Sequence, residues 1–501
     1  MKPLARLALA APLLALAGCG WMVGPDYHLP AKAAINRAQA KAGFDLAGNA
    51  QVAQAELPAD WWKLYRDPQL DGLVQQALAG NTDVRLAYHN LRRAYAVYQM
   101  AESAQEVEVG GSVSGGRGQI SSQSLALREK LPVMNLGNVD VAVGYQLDLF
   151  GKLKRATEAA AAGTEATQAA LDAARITVVA QVVRSYVEAC HANEELEIAE
   201  RSLQIQERQL DVVRRLQQAG RGNEIDATRA QAQAEALRAE LPPFESKKAA
   251  ALYQLAALLG RTPGDLPAAV GQCQHAPQLA QPIPVGDGAA LLKRRPDVRA
   301  AERELAAATA QIGVATAAMY PEISLGGNFG YTGMMQDIGH GITKRWLLGP
   351  HIAWHIPTGV DHARVRASEA GADAALARFD GVVLGALRET QTLLSHYAHD
   401  LSRNQSLREA RDAARQAADY NRRMHQEGRL PYLSSLDAER TLASAEAALA
   451  ASEAQLSQDQ VNLFLSLGGG WENTRGSSGA EPHPEGAEQH AGGAAQERHG
   501  E

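Results

Sequence analysis

The chain has 501 residues, of which 46% are hydrophobic but only 5% aromatic. This alanine-rich, aromatic-poor composition suits long packed helices better than a compact globular core. The formal net charge of -7 offers no basic surface for nucleic acid, which excludes a nucleic-acid-binding class.

The N-terminus has the pattern of a secretory signal peptide at residues 1–18. Two basic residues precede an apolar run from Leu7 to Leu16, and small residues then lead to Cys19. Small residues directly before a cysteine resemble the bacterial lipobox, which implies that Cys19 carries a diacylglycerol thioether and an N-acyl chain. Gly20 stands where an aspartate would favour inner-membrane retention, so the outer membrane is favoured. The alternative is an ordinary signal peptide that happens to contain a cysteine.

Regular structure is predicted to begin after an irregular, proline-containing segment at residues 19–68. Apolar spacing predicts a helix from Gln69 to about Gly80 and, after the N-cap sequence Asn81-Thr82-Asp83, a second helix to about Ala104. The apolar period then changes from 3.6 to 2, which predicts strands at about 105–115 and 139–149. Ten residues is the length of a tilted membrane-spanning strand.

A proline-free stretch at about 151–219 predicts a helix of roughly 100 Å, too long for the core of one domain. One apolar row recurs at every seventh position, the spacing of a supercoiled seam: Val182, Ala189, Leu196, Leu203 and Leu210. A return helix follows at about 224–259, with a kink expected at Pro242-Pro243.

The same order of elements then occurs a second time, so we predict two repeats, at residues 69–264 and 291–471, joined by a linker at 265–290. Gene duplication is the simplest explanation. The second repeat contains strands at about 321–331 and 346–356 and helices at about 359–427 and 433–467. The tail at 472–501 is rich in Gly, Ala, Glu and His and is predicted to be disordered.

Catalytic and metal-binding motifs are not apparent. His351 and His355 lie in a strand pattern without an HExxH context, and the glycine-rich stretches lack P-loop spacing, so we predict no enzyme, no metal and no cofactor beyond the lipid. Cys190 and Cys273 lack metal-type spacing and are predicted to be free thiols; a disulfide, which an oxidising compartment allows, is the alternative.

Four strands are too few to close a membrane barrel, since the smallest have about eight and an open edge in lipid leaves backbone groups unpaired. Three chains would supply twelve. We therefore predict a mainly α-helical homotrimer whose twelve-stranded membrane β-barrel is continued by a long α-helical coiled-coil barrel. Its wet interior would be lined by Glu106, Asp140, Gln146, Asp148 and Asn328. Its lipid face or aromatic girdle would include Tyr331, Trp346 and Trp354, and Pro350 predicts an edge position or a bulge.

The chain resembles the TolC/OprM superfamily of trimeric outer-membrane efflux ducts, in its NodT-type lipoprotein branch. The resemblance spans nearly the whole mature chain. Besides the lipobox it is carried by VGPDYHLP from Val23, WWKLYRDPQLDGLVQQALAGNTDVRLA from Trp61, YQLDLFGKLKRA from Tyr145, ALLGRTPGDLP from Ala257, RRPDVRAAE from Arg294 and YLSSLDAERTL from Tyr432. One departure is IPTGVDHARV from Ile356, where relatives carry a Phe-Asp-Gly-Gly turn, and it leaves the geometry of the barrel-to-helix junction open.

The resemblance implies an outer-membrane channel of a tripartite efflux system, lipid-anchored, barrel-spanning and extending into the periplasm. Its partners would be a periplasmic adaptor and an inner-membrane pump, and its cargo drugs or small toxic compounds, with aromatic acids such as fusaric acid among the candidates. The competing hypothesis is a structural coiled-coil envelope lipoprotein without transport activity, which has no need of the alternating strands.

The resemblance also implies a gate at the turns between long helices, with Leu433 as an apolar ring and Asp437 as an acidic ring. The alternatives are ordinary helix packing for Leu433 and a helix-start carboxylate for Asp437. Tyr420, Arg422 and Arg423 either form latching bonds across helices or belong to a solvated helix face.

Overall fold

The computed structural model describes residues 22–45, 51–126, 128–273 and 275–469. Cys19, the signal peptide and the predicted disordered tail lie outside these ranges. The helices are α1 Ala38–Lys41, α2 Pro68–Gly80, α3 Thr82–Ser103, α4 Lys152–Gln218, α5 Glu224–Ala239, α6 Leu241–Leu258, α7 Gly288–Arg294, α8 Pro296–Ala317, α9 Gly359–Gln426 and α10 Tyr432–Ser466. The strands are β1 Val52–Ala53, β2 Glu108–Gly118, β3 Met134–Leu147, β4 Ile283–Pro284, β5 Glu322–Met334 and β6 Lys344–Ala353.

The chain divides into two compact units, and each is built from several separate stretches. Unit 1 contains the described residues up to Arg37 together with 87–171 and 297–384. Unit 2 contains 38–86, 172–296 and the part from Gly385 onward. Both halves of the chain therefore contribute to each unit.

Unit 1 is organised around a four-stranded antiparallel sheet with the order β2-β3-β5-β6. The first hairpin extends further into its loop than the sequence predicted, because glycines such as Gly115 and Gly137 pair through their backbones without an alternating side-chain pattern. Pro350 lies on the edge strand β6, opposite Leu325, which confirms the predicted edge position.

Unit 2 is a helical bundle with a dense aromatic and aliphatic core. Trp61 is fully buried and stacks on Phe464 with ring centroids 4.5 Å apart. The predicted N-cap is confirmed: the Asn81 side chain accepts hydrogen bonds from the amides of Asp83 and Val84 and donates to the carbonyl of Leu258. These contacts fasten the start of α3 to the end of α6.

The long helix α4 buries the row of every seventh residue that the sequence singled out. Val182, Ala189, Leu203 and Leu210 are buried, and Leu196 is half-buried. Further along, Leu203 and Leu210 pack against small residues of α5, Ala230 and Ala234. The predicted interruption near the proline pair is present, since α5 ends at Ala239 and α6 begins at Leu241. Among the helices in the described ranges, none has both the length and the apolar composition needed to cross a bilayer.

The prediction of free thiols is wrong, because Cys190 and Cys273 form a disulfide with their Cα atoms 5.4 Å apart. Cys190 is buried in α4, and its neighbour Asn193 donates to the carbonyl of Cys273 at 2.9 Å. The two cysteines are 83 positions apart, so no local spacing could reveal that the fold brings them together.

We predict that removal of this disulfide lowers the free energy of unfolding of unit 2 by about 2–4 kcal/mol, because a crosslink over such a separation restricts the unfolded chain. The measurement is urea unfolding of the wild type with and without reductant. The double variant Cys190→Ala/Cys273→Ala is the control and should not respond to reductant. A wild-type curve that stays unchanged once the thiols are shown to be reduced would contradict the prediction.

Candidate functional site: a two-faced sheet and two helical turns

One face of the unit 1 sheet carries a hydrogen-bonded polar cluster that crosses all four strands. Asp140 in β3 accepts from Ser112 of β2 at 2.9 Å, from Asn138 at 2.6 Å and from the Arg345 guanidinium of β6 at 2.9 Å. Thr332 of β5 donates to Asn138 at 2.6 Å. Ser112 lies opposite Asp140 and Asn138 opposite Thr332, whereas Arg345 lies opposite Gly330 and reaches Asp140 across β5. The cluster therefore involves all four strands.

The opposite face is apolar and exposed along every strand. In an ordinary soluble protein such residues would be covered, and an exposed apolar area of this extent marks a surface that binds lipid or another chain. The exposed members are Val109, Val113, Val139, Val141, Val143, Tyr145, Leu147, Leu325, Phe329, Trp346, Leu348 and Ile352.

The five residues predicted to line a wet interior have different positions. Asp140, Gln146 and Asn328 lie on the polar face of the sheet. Glu106 lies in a turn before β2, where its amide donates to the carbonyl of Ser103, so the strand begins later than predicted. Asp148 follows the end of β3.

Asp148 and Trp354 have specific partners at the end of the sheet where α4 and α9 begin. The Asp148 carboxylate accepts from the amide of Lys154 at 2.8 Å, in the first turn of α4. The Trp354 indole, just beyond β6, donates to the carbonyl of Met319. Tyr331 and Trp346 share the apolar face, opposite Val139 and Phe329 respectively.

The two turns between long helices close with the same backbone bonds. After α4, the Arg221 amide donates to the carbonyl of Leu216 at 2.9 Å, and after α9, the Arg429 amide donates to the carbonyl of Met424 at 2.8 Å. Gly220 and Gly428 occupy the left-handed position that ends each helix. Both turns thus use a helix C-cap of the same type.

The predicted gate residues lie in the first turns of α10. The side chain of Leu433 lies outside the described residues. The Asp437 carboxylate is largely exposed and forms an ion pair at 2.9 Å with Arg440, one turn further along the same helix. An arginine that close offsets part of the negative charge at this position.

Of the three residues considered for bonds across helices, Arg422 forms them. Its guanidinium binds the carboxylate of Glu439 on α10 at 2.6 Å and that of Asp419 on its own helix at 3.1 Å. Glu439 is buried, whereas Tyr420 is exposed. Glu439 was not among the predicted site residues, because a single glutamate in a helix sequence gives no sign of a partner on another helix.

A buried carboxyl group lies further along the α9–α10 pair. Asp459 is 4% exposed, accepts from the Gln455 amide at 2.9 Å and has a second oxygen, Oδ2, without a hydrogen-bond donor among the described residues. Burial raises the pKa of Asp459 to about 6; the Asp400 carboxyl acts in the same direction, and the Gln455 hydrogen bond acts against it. A proton held at Asp459 would satisfy that oxygen.

Within the described ranges, no group of three or more His, Cys, Asp or Glu side chains has the geometry to hold a metal ion.

Comparisons with known proteins agree on one class. The family described as "Outer membrane efflux protein" matches residues 73–261 and 289–469. The chain is 28% identical over 492 residues to the probable efflux pump outer membrane protein TtgC of Pseudomonas putida, covering 96% of this chain and 98% of that protein. It is 33% identical over 378 residues to the fusaric acid resistance protein FusA of Burkholderia cepacia, covering 74% and 69%. The solved outer-membrane channel OprN superposes with a TM-score of 0.82 and 34% identity, covering 90% of this chain and 99% of that one.

The buried carboxyl leads to a prediction about pH. Because the folded state holds the Asp459 proton more tightly than the unfolded state, this group stabilises the fold below about pH 4, and that contribution is lost as the pH rises through about 6. We expect Asp459→Asn to raise the free energy of unfolding at pH 7 by about 2 kcal/mol. The variant should also lack the loss of stability that the wild type shows as the pH rises through about 6. Urea unfolding between pH 4 and 8 measures it, with the exposed Asp412→Asn on α9 as the control. A variant whose pH profile matches the wild type would refute the assignment.

Proposed function

We propose that this chain, which belongs to the outer membrane efflux protein family, forms the outer-membrane duct of a tripartite efflux system. Small toxic compounds would pass through it from the periplasm or from an inner-membrane pump to the outside. Proteins of this family are channels rather than enzymes, which agrees with the prediction that the chain is not an enzyme.

The observation that carries the proposal is the two-faced sheet with two edges. The apolar face suits lipid and the polar face suits water, as in a membrane barrel. Strands β2 and β6 each have a neighbour on one side only within the described residues. In lipid such edges must be paired, so β6 of one chain would join β2 of the next, and three chains would close a twelve-stranded barrel. A purely structural coiled-coil rod has no use for this sheet.

The long helices would continue the barrel as a helical tunnel in the periplasm. We propose that the duplicated elements at residues 69–264 and 291–471 supply the staves, with 265–290 as the connection between repeats. The seven-residue seam of α4 supports close packing of neighbouring helices.

We propose that the turns at Gly220 and Gly428 lie at the periplasmic end and that Leu433 and Asp437 narrow the duct there. An apolar ring excludes water, and a carboxylate ring favours cations over anions. The cross-helix pair Arg422–Glu439 lies close in sequence to these residues and would help to hold the turn of α9 and α10 closed.

The names of two relatives support the proposed partners and cargo. TtgC is named as an efflux pump outer membrane protein, which supports a periplasmic adaptor and an inner-membrane pump as partners of this chain. FusA is named for fusaric acid resistance, which supports aromatic acids as cargo; drugs are proposed as further cargo. Deletion of the gene, followed by growth tests with a panel of antibiotics and aromatic acids, identifies the compounds exported.

Lipidation of Cys19 remains part of the proposal. The thiol would carry a diacylglycerol thioether and the amino group an N-acyl chain, anchoring the chain in the outer membrane. Mass spectrometry of the mature N-terminus tests this directly.

The proposed orientation of the sheet predicts opposite responses from adjacent residues of β3. Val141→Lys places a charge on the apolar face, where lipid exposure near the bilayer centre costs about 2–4 kcal/mol, and should abolish the heat-labile trimer in outer-membrane fractions. Ala142→Lys, on the polar face, is the matched control and should assemble. Gel migration with and without heating measures both. Equal assembly of the two variants would show that the apolar face does not meet lipid.

The gate assignment predicts changes in ion selectivity. Asp437→Asn removes one negative charge per chain and should lower the preference for cations, whereas Arg440→Ala removes the neutralising partner and should raise it. Leu433→Ala should increase single-channel conductance. Reversal potentials across a planar bilayer under a salt gradient measure the first two. If both charge variants keep the wild-type reversal potential, Asp437 does not face the ion path.

A further inference from the structure

The segment that begins three positions after Cys19 is held against unit 1 at the junction of β3 and α4. We call residues Met22–Tyr27 the N-terminal strap. Its Val23 amide donates to the carbonyl of Phe150 at 3.2 Å. Its Met22 side chain lies so close to Gly151 that a Cβ there would come within 2.5 Å of it. The strap therefore begins beside the short connection between β3 and α4.

Arg155 of α4 binds the strap and is almost fully buried, with 1% of its surface exposed. The guanidinium donates to the carbonyls of Val23 and Gly24 at 3.4 and 3.3 Å and to the Asp26 carboxylate at 2.7 Å. It also pairs with Glu158 at 2.7 Å. A buried charge with this many acceptors on one segment fixes that segment's position.

The strap has room only because two glycines meet beside Arg155. A Cβ on Gly24 would lie 2.4 Å from the Cα of Gly313 in α8, and Gly24 has a φ of +86°. A Cβ on Gly313 would in turn lie 2.7 Å from the Arg155 side chain. No other residue fits at position 24 without displacing the strap.

The other end of the strap is held as well. The Tyr27 hydroxyl donates to Glu302 of α8 at 3.3 Å, and the Arg303 guanidinium lies 5.6 Å from the centre of the Tyr27 ring. Beyond it, the Ala34 amide donates to Asp380 of α9 at 2.7 Å. Because the segment is fastened at several points, the position of Met22 in unit 1 is fixed.

Aromatic residues lie near the Met22 end of the strap, because Val23 is hydrogen-bonded to Phe150. Phe150 stacks on Tyr320 with ring centroids 4.5 Å apart, and the Trp354 indole donates to the carbonyl of Met319 beside it. They flank the ends of three strands at which α8 ends and α4 begins. Aromatic side chains with polar groups are enriched where a membrane meets water.

We infer that the strap positions the lipid anchor, with Arg155 as its positioning residue; this rests on the proposed lipidation of Cys19 and on the proposed membrane sheet. Cys19 lies three positions before Met22, and three residue steps span at most about 11 Å. Acyl chains on Cys19 therefore enter the leaflet that borders the Phe150–Tyr320 end of the sheet. The strap thus sets the depth of the anchor relative to the strands.

A photocrosslinking experiment on the full-length chain tests this placement. Cells are given radiolabelled palmitate, a photoreactive phenylalanine analogue replaces Tyr320, and a protease site is introduced at residues 46–50. After irradiation and cleavage, we expect the label on the C-terminal fragment as well as on the N-terminal peptide. The matched control carries the photoreactive residue at Ile342, which is exposed and lies beyond the opposite end of the sheet, and should transfer no label.

Two variants separate positioning from general stability. Gly24→Ala should release the strap and lower label transfer to residue 320 roughly fivefold, because the free tether becomes several times longer. Six Gly/Ser residues inserted between Gly20 and Trp21 leave the strap intact and should lower the transfer by a similar factor. Both chains should still form the heat-labile trimer.

The outcomes distinguish this inference from the proposed function. Equal transfer at residues 320 and 342, or transfer that neither variant changes, would overturn the positioning role of the strap. An intact chain without any label would instead refute the lipidation of Cys19, and an unlabelled chain that still conducts ions would leave the duct itself standing.

Discussion

The proposed assembly depends on the backbone hydrogen-bonding groups along the outer edges of β2 and β6. Their backbone amides and carbonyls have no neighbouring strand within the described residues, and one face of the sheet they bound exposes large apolar side chains on every strand. Water would satisfy the edges but not the face, and lipid would satisfy the face but not the edges. In the proposed assembly, further copies of the same sheet, joined edge to edge in a bilayer, would satisfy both.

The helical part meets its own requirement by a different route. Helices of the length of α4 and α9 cannot be buried in one core, so they expose one side and pack along a narrow seam. Small residues make this packing close: Ala230 and Ala234 lie against α4, and Ala414 and Ala418 lie against Leu442 of α10. Ion pairs between helices, such as Arg422–Glu439, also fix the alignment of one helix along the other, which contacts between alanines alone do not fix.

Two covalent or charged fastenings hold segments that have little regular structure of their own. In unit 1, Arg155 and the glycine pair hold the N-terminal strap against α4 and α8. In unit 2, the Cys190–Cys273 disulfide holds the segment between α6 and α7 against α4. The strap contains no helix or strand, and the segment between α6 and α7 contains only the short strand β4 and short 3-10 turns, so these fastenings add to few backbone hydrogen bonds.

The amino-acid sequence by itself determined the elements and the class of the protein. Periodicity located the long helices and the four strands, the N-cap at Asn81 and the edge position of Pro350, because these depend on neighbours a few residues away. Motifs spread along the chain led to the correct family. Only the tertiary structure decided which distant side chains meet. It joined Cys190 to Cys273 and paired Arg422 with Glu439. It also brought Arg155 into contact with the strap and directed the Asp148 carboxylate to the start of α4. Such contacts arise from how helices and strands pack across long stretches of sequence, and a local pattern of apolar and polar residues contains no information about them.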